Sequence, residues 1–89
     1  MDYQYPILYD WTTLETIDVI EFYTCIEKAN EAGIRKEDLM KAYKKFKSIV
    51  PSKAEENKLC REFEELSGYS AYHTIQKAKD LLDTDIVKM

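Results

Sequence analysis

Hydrophobic residues recur at the three- and four-residue spacing of α-helices in four segments of the chain. This spacing places the apolar side chains of each segment on one helical face, which must be buried against other elements. We therefore expect an all-α fold, a compact small bundle of four helices in a single domain. The expected elements within 1–89 are an extended aromatic arm at 1–12, helices at about 13–32, 36–50, 53–67 and 71–82, and a short tail at 83–89.

The first predicted helix has a wider apolar surface than one neighbouring helix requires. Ile17 and Ile20 lie toward the other side from its main apolar stripe. This width predicts contact with two helices, with one helix and the arm, or with a second subunit. The predicted stripes are Val19, Phe22, Ile26 and Ala29; Leu39, Ala42, Tyr43, Phe46, Ile49 and Val50; Leu59, Cys60, Phe63 and Leu66; and Ala71, Ile75, Ala78 and Leu82.

Capping residues mark where the helices begin. Thr12 is followed three residues later by Glu15, the spacing of a capping box, in which each side chain accepts a hydrogen bond from the other residue's backbone amide. Pro51 predicts the end of the second helix, because proline disfavours helical backbone at the residue before it. Ser52 and Glu55 repeat the capping-box spacing immediately afterwards and predict the start of the third helix.

Two glycines mark where helices end. Gly33 and Gly68 are the only glycines of the chain, and each follows a predicted helix. Glycine is favoured there because it adopts the left-handed conformation that terminates many helices. With both glycines assigned to helix ends, none is left to form a phosphate-binding loop.

The arm at 1–12 lacks helical periodicity and is rich in aromatic residues. Pro6 favours an extended path. Because an arm this apolar would be poorly soluble if it were free, we expect it to lie on the bundle. The alternative is an exposed aromatic surface, since Tyr and Trp are favoured at the centres of interfaces. The candidate partner surface consists of Tyr3, Tyr5, Tyr9, Trp11, Tyr69 and Tyr72.

The net charge of −4 argues against a protein whose main task is binding nucleic acid. The charge is unevenly distributed. Residues 1–34 carry a net charge of −6, residues 35–53 a net charge of +5, and residues 54–89 a net charge of −3. We expect the basic segment to neutralise its acidic neighbours when the helices pack.

Lysines on the second helix form the clearest charged surface feature. A helix that presents several lysines can dock on a phosphate backbone, so a nucleic-acid-associated domain is the alternative function. Lysine lacks the forked guanidinium with which arginine reads base edges, and solvated lysine faces are common on amphipathic helices. The candidate basic patch consists of Lys41, Lys44, Lys45 and Lys47.

The sequence predicts no catalytic residue, no cofactor and no metal site. It contains no motif with zinc- or calcium-ligand spacing. Ser67, Ser70 and His73 lie near one another, but the serines are better explained as helix-boundary residues. Cys25 and Cys60 fall on predicted core faces, which favours reduced thiols and a cytoplasmic protein. No apolar run approaches the ~20 residues of a membrane span.

Several short stretches resemble a known family. They are YQYP at 3–6, DWTT at 10–13, PSKAEE at 51–56, FE at 63–64 and SGYS at 67–70. Together they resemble the small uncharacterised protein family (UPF) 0223 of Bacillus-type bacteria, and the resemblance extends over nearly the whole chain. The resemblance implies a small, all-helical, cytoplasmic protein. It implies no activity and carries over no functional residue, because the family has no assigned function.

The leading functional hypothesis is a cytoplasmic, non-enzymatic helical protein that acts through protein–protein contacts. Its partner is an unknown protein or a second copy of the chain, which would make a homodimer. The width of the first helix's apolar surface, the aromatic arm and the segregated charge all favour this hypothesis. Neither an enzymatic constellation nor a membrane-binding segment competes with it.

Overall fold

In the computed structural model of the chain, which describes residues 5–8 and 10–89, four helices pack around one core. This arrangement confirms the predicted all-α bundle. The ends of the first three helices agree with the predicted bounds to within one residue. The elements are α1 (Thr13–Glu31), β1 (Ile34–Arg35), α2 (Lys36–Ile49), α3 (Lys53–Ser67), α4 (Ala71–Lys79) and β2 (Ile86–Val87).

Stacked aromatic rings form the centre of the core. Phe22 of α1 stacks on Phe46 of α2 with ring centroids 4.5 Å apart. The next residue, Tyr23, stacks on Phe63 of α3 at 4.8 Å. All four side chains are fully buried, so each removes a large apolar area from water. Two consecutive residues of α1 therefore hold the two helices that follow it.

The described part of the arm lies on the bundle, as predicted. The ring of Tyr5 stacks on Tyr23 with a centroid separation of 5.6 Å. The buried Tyr23 hydroxyl donates a hydrogen bond of 3.0 Å to the backbone carbonyl of Pro6. This bond satisfies a polar group that would otherwise be unpaired in the core. The arm thus covers the end of the aromatic stack.

The helix starts follow the predicted caps with one difference. Both bonds of the Thr12–Glu15 capping box are present, at 2.8 and 3.1 Å. The Ser52 hydroxyl accepts from the Glu55 amide at 3.4 Å. Within the described residues the Glu55 side chain makes no return bond to the Ser52 amide, so only half of the second capping box forms. Gly68 adopts the predicted left-handed conformation at the end of α3, with φ +82°.

The tail is an ordered part of the fold. Residues 86 and 87 form β2, which pairs antiparallel with β1 in the link between α1 and α2. Val87 lies opposite Ile34 in this pairing, and its side chain is fully buried in the core. The pairing joins residues more than fifty positions apart. No periodicity within either two-residue strand predicts it.

The tail also caps two helices. The amide of Lys36, in the first turn of α2, donates to the carbonyl of Asp85 at 2.9 Å. The amide of Met89 donates to the carbonyl of Ala29 in the last turn of α1 at 3.0 Å. Helix ends carry backbone groups without intrahelical partners, and the tail backbone supplies partners at both ends. This explains how α2 begins at Lys36 although its N-cap residue, Arg35, makes no side-chain cap.

The prediction that Leu66 and Leu82 belong to buried apolar stripes is wrong. Helix α4 ends at Lys79 rather than near 82, because the chain turns there to bring the tail back. Leu82 is consequently 73% exposed, and its amide donates to the Asp85 carboxylate at 2.9 Å. Leu66 is exposed at the end of α3, where Ser67 is buried instead.

No helix in the described ranges is long and apolar enough to cross a membrane. The longest, α1, has 19 residues and carries five acidic side chains on its sequence. Its buried residues belong to the core, and its Asn30 side chain donates to the Thr74 hydroxyl of α4. The helix is therefore a surface helix of the bundle.

We predict that Gly33→Ala destabilises the fold more than Gly68→Ala. Both glycines have positive φ, of +108° and +82°, so alanine strains the backbone at either position, by about 1 kcal/mol. At Gly33 the new Cβ would also lie 2.9 Å from Cγ2 of Ile86, whereas nothing lies within 4 Å at Gly68. We expect a loss of about 2–3 kcal/mol for Gly33→Ala, measured by urea denaturation.

The Gly68→Ala variant is the matched control, because it carries the backbone strain without the clash. Equal losses for the two variants would contradict the close packing of β2 against the end of α1. If the Gly33→Ala variant were as stable as wild type, this close packing would be contradicted more directly. Circular dichroism at 222 nm follows unfolding in both cases, since helices dominate the described part of the chain.

Candidate functional site

Two tyrosines of the candidate partner surface point at helix α1. The Tyr5 hydroxyl donates to Glu27 Oε1 at 2.6 Å, and the Tyr69 hydroxyl donates to Glu31 Oε2 at 2.7 Å. The two carboxylates are one helical turn apart. Burial and the neighbouring Glu31 raise the pKa of Glu27. These tyrosines fasten the arm and the α3–α4 junction to α1.

The other members of that surface do not join them in one patch. Trp11 is half-buried and packs against the core. Tyr72 projects from the first turn of α4 toward α3, and it is 64% exposed. Tyr3 and Tyr9 lie outside the described residues. The described tyrosines thus have different neighbours, and Tyr72 alone among them is strongly exposed.

Tyr72 borders a cleft between α2, α3 and α4. The cavity in this cleft has a volume of about 80 Å³. Its floor is apolar, whereas amides and lysine side chains line its edge, so it has the apolar interior and polar rim that are typical of binding surfaces. We call it the Tyr72 cleft; its lining residues are Phe22, Tyr43, Lys53, Glu56, Asn57, Cys60, Ala71, Tyr72, Ile75, Gln76 and Lys79.

A second, more open hollow adjoins the Tyr72 cleft. Its volume is about 230 Å³, and Arg61 and Glu64 line it beside residues that it shares with the first. The shared residues are Asn57, Cys60, Ala71 and Tyr72. Tyr72 therefore stands between two adjoining depressions, with its ring available to a partner that fills either of them.

A hydrogen-bonded carboxylate holds one wall of the cleft. Glu56 accepts a bond of 3.1 Å from the Tyr43 hydroxyl and one of 2.6 Å from Lys47 Nζ. Its side chain is 12% exposed, so the pair with Lys47 is better shielded from water than a surface ion pair. These bonds connect α2 to the first turn of α3 and neutralise the carboxylate.

Protonated groups line the same wall. Burial raises the pKa of Cys60 to about 12, and the nearby Glu56 carboxylate contributes. Burial and the hydrogen bond to Glu56 raise the pKa of Tyr43 to about 12. A thiol nucleophile needs a depressed pKa, so Cys60 is poorly suited to nucleophilic chemistry. The cleft offers shape, an aromatic ring and hydrogen-bonding groups.

The basic patch is divided by the fold. Lys41, Lys44 and Lys45 are exposed on α2, but Lys47 points to α3 and pairs with Glu56. Periodicity did not reveal this division, because Lys47 follows Lys44 by three residues, a spacing that places the two side chains beside each other on a helix. The Lys47–Glu56 pair is also the one ion pair in the described ranges that joins the basic segment at 35–53 to an acidic neighbour.

Acidic side chains lie beside the remaining lysines. A groove between α1 and α2 is lined by Lys41 and Lys45 together with Glu21 and Asp38. Carboxylates in this groove reduce the positive potential that a phosphate backbone would need. The groove is therefore of mixed charge, unlike a nucleic-acid-binding surface.

The serines and the histidine do not assemble into a catalytic group. The Ser67 hydroxyl donates to the Phe63 carbonyl at 2.8 Å, and the Ser70 hydroxyl accepts from the His73 amide at 3.1 Å as a helix cap. The His73 ring is exposed and lies edge-on to Tyr72. Over the described ranges, no three His, Cys, Asp or Glu residues are placed to hold a metal ion together.

An exposed apolar surface remains on α1, and residue-by-residue prediction did not single it out. Leu14 is 75% exposed and Ile17 is 52% exposed. They lie three residues apart, and Asp18 and Glu21 follow them at helical spacing on the same side. The sequence signal for this exposed surface was the excess width of the apolar surface predicted for the first helix. We call these four residues the α1 outer face.

Comparison with known proteins gives the family. The sequence model of the uncharacterised protein family UPF0223 matches residues 2–87. The chain belongs to the UPF0223 family. This confirms the resemblance seen in the sequence.

Relatives within UPF0223 are similar over their full length. A UPF0223 protein of Bacillus cytotoxicus is 62% identical over 89 residues, which cover 100% of both chains. The UPF0223 protein of Bacillus pumilus is 52% identical over the same coverage. The UPF0223 protein YktA of Bacillus subtilis is 56% identical over 80 residues, covering 90% of this chain and 91% of YktA. The names of these relatives state no activity.

The raised pKa values of Cys60 and Tyr43 predict lower stability at alkaline pH. Folding raises each pKa from the ordinary value, 9.0 for the thiol and 10.0 for the phenol, to about 12. The stabilising contribution is complete below the ordinary value and is lost as the pH rises toward about 12. We expect the urea midpoint to fall between about pH 8 and about pH 11, and to fall less steeply in Cys60→Ala.

Cys60→Ala also removes buried atoms, which lowers stability at every pH. The slope of the urea midpoint against pH therefore separates the titration of the Cys60 thiol from this loss of packing. Tyr72→Phe is the control, because it changes an exposed hydroxyl in the same cleft and should leave the slope unchanged. If wild type and Cys60→Ala lost stability in parallel across this range, the buried thiol would not be a source of the alkaline sensitivity.

Proposed function

We propose that this UPF0223 chain is a non-enzymatic protein that acts by binding another protein at the Tyr72 cleft. The observation that carries the proposal is the exposure of Tyr72 between two adjoining depressions. A large aromatic side chain in such a position is the residue type most enriched at interface centres. Of the predicted partner surface, this is the part that the fold leaves available within the described residues.

The composition of the cleft supports protein binding. Ala71 and Ile75 provide an apolar floor, while Asn57 and Gln76 provide amides that can pair with a partner's backbone. Interfaces combine an apolar centre with a hydrogen-bonding rim in this manner. The protonated Cys60 thiol and the neutralised Glu56 carboxylate suit a binding surface better than a reaction centre.

The proposal includes a cytoplasmic location. Cys25 and Cys60 are both free and half-buried. Reduced thiols are typical of proteins in a reducing compartment, whereas exported proteins of this size commonly rely on disulfides.

We predict that a photo-crosslinking amino acid at position 72 captures a protein in living cells. The chain would be expressed in a Bacillus host with p-benzoylphenylalanine in place of Tyr72. After irradiation, we expect discrete higher-mass adducts on denaturing gels, because the side chain at 72 contacts the partner. Mass spectrometry of the adducts identifies the partner, which includes the case of a second copy of the chain.

The matched control places the same photo-crosslinker at Lys44, an exposed position on α2 outside the Tyr72 cleft. Adducts at 72 that are absent at 44 support a specific contact. Identical smears at both positions, or no protein adduct at 72, would refute binding at this cleft. Circular dichroism of each purified protein confirms that the substituted chain is folded.

Nucleic-acid association through Lys41, Lys44 and Lys45 is the second candidate. The exposure of all three lysines favours it, and Lys47 no longer belongs to the set. Such binding would weaken steeply with salt, since lysines displace counterions from phosphates. We expect no change in the fluorescence anisotropy of labelled mixed DNA and RNA at about 50 mM salt. Saturable binding there, lost in Lys41→Glu/Lys45→Glu, would instead establish this function.

A further inference from the structure

We infer that the partner of the Tyr72 cleft is a second copy of this chain, which inserts its α1 outer face. This inference rests on the proposed function and specifies the partner. The two surfaces share no residue, so the contact joins one face of the chain to a different face of its copy. Such a head-to-tail contact is heterologous, unlike the interface of a two-fold symmetric dimer.

The surroundings of Tyr72 are positively charged. Lys53 and Lys79 stand at the rim of the cleft, and Arg61 lines the adjoining hollow. Glu64 also lines that hollow and offsets one of these charges. The remaining carboxylate of the lining, Glu56, is already neutralised by Lys47. An occupant of this surface is therefore favoured when it combines an apolar group with negative charge.

The α1 outer face has the complementary composition. Leu14 and Ile17 present the largest adjacent exposed apolar side chains on any helix of the described part of the chain. Asp18 and Glu21 follow one turn later, at a spacing that keeps them beside these side chains. No lysine or arginine of the described residues lies within 4.0 Å of either carboxylate. Glu21 also lines the groove that contains Lys41 and Lys45, so these lysines offset part of its charge, and Asp18 carries the negative charge beside the exposed apolar area.

Like charges disfavour the symmetric alternatives. Two Tyr72 clefts placed face to face would bring Lys53 and Lys79 of both copies together. Two α1 outer faces would bring Asp18 and Glu21 of both copies together. Juxtaposed like charges oppose association, whereas the pairing of cleft with outer face brings opposite charges together. Each bound pair leaves one cleft and one outer face free, so association continues or closes into a ring.

Charge reversal tests this geometry. Asp18→Lys/Glu21→Lys blocks the outer face, and Lys53→Glu/Lys79→Glu blocks the cleft. We expect each double variant alone to have an apparent dissociation constant for self-association at least ~10-fold higher than that of wild type. When the two variants are mixed, the intact cleft of the first meets the intact outer face of the second. The reversed outer face of the first also complements the reversed cleft of the second, so the mixture should associate with the two variants in equal proportions, although neither associates alone.

A chain that carries all four reversals should self-associate again, because both surfaces have exchanged sign. Sedimentation velocity at about 50 mM salt measures each case, and association should weaken at higher salt through screening. Leu14→Ser provides a second variant that leaves the charges intact and should also weaken association. Circular dichroism checks that every variant is folded, so a misfolded protein is not counted as a monomer.

Matched controls reverse equal numbers of charges elsewhere. Lys44→Glu/Lys88→Glu and Glu65→Lys/Asp83→Lys change exposed residues that belong to neither surface, so both should associate like wild type. A wild-type chain that stays monomeric up to about 1 mM would overturn the inference. So would association that survives both double reversals, or a mixture of the two blocked variants that forms no complex.

Failure of this inference is distinguishable from failure of the proposed function. If wild type is monomeric while photo-crosslinking at position 72 captures a different protein, the cleft binds a heterologous partner and only the inference about a second copy fails. If wild type self-associates by the head-to-tail pattern, the crosslinked adduct at 72 should have the mass of two copies. If position 72 captures no protein, the proposed function fails as well.

Discussion

The fold depends on two consecutive aromatic residues of α1 that stack on two different helices. Phe22 meets Phe46 of α2, and Tyr23 meets Phe63 of α3. Adjacent residues of a helix point about 100° apart, so one turn of α1 fixes the directions of two neighbours at once. Stacked pairs stabilise by about 0.5–1.5 kcal/mol beyond the area that they bury. The hydroxyl of Tyr23 extends this centre to the arm through Pro6.

The C-terminal tail completes what the helices leave unfinished. Without it, the end of α1 and the start of α2 would present backbone groups with no partner. The tail supplies these partners. Its strand β2 pairs with β1, its Asp85 carbonyl accepts a hydrogen bond from the Lys36 amide, and its Met89 amide donates one to the Ala29 carbonyl. The return of the tail requires α4 to stop early and Gly33 to lie against Ile86. The backbone at the α1–α2 junction is thus coupled to the C-terminal tail.

The candidate site arises from helix ends rather than from a motif. The first turn of α4 sets Tyr72 against α3, and the first turn of α3 brings Glu56 to Tyr43 and Lys47. The same contacts that join α2 to α3 remove one lysine from the basic patch and neutralise the carboxylate of the cleft. Charge on the surface is therefore decided by packing in the interior. The remaining lysines Lys41 and Lys45 share a groove with Glu21 and Asp38, so that part of the surface has mixed charge.

The sequence by itself determined the helices, most of their boundaries and part of the core; it did not identify Tyr23 or Val87 as core residues. Periodicity placed Phe22, Phe46 and Phe63 inside, and Thr12, Pro51 and Gly68 marked helix boundaries, because these signals act over one or two turns of the chain. Only the tertiary structure decided which aromatic residues stay exposed. Tyr5 and Tyr69 find carboxylates on α1, whereas Tyr72 does not, and residue type cannot distinguish them.

Tertiary structure also decided the pairing of β2 with β1 and the position of Lys47. These features depend on residues brought together from distant parts of the chain, so no local pattern encodes them. Leu66 and Leu82 fit the helical spacing and are nevertheless exposed, because the elements that could have covered them end or turn away. Short-range backbone preferences thus fixed the elements, and long-range packing selected the surface that remains for a partner.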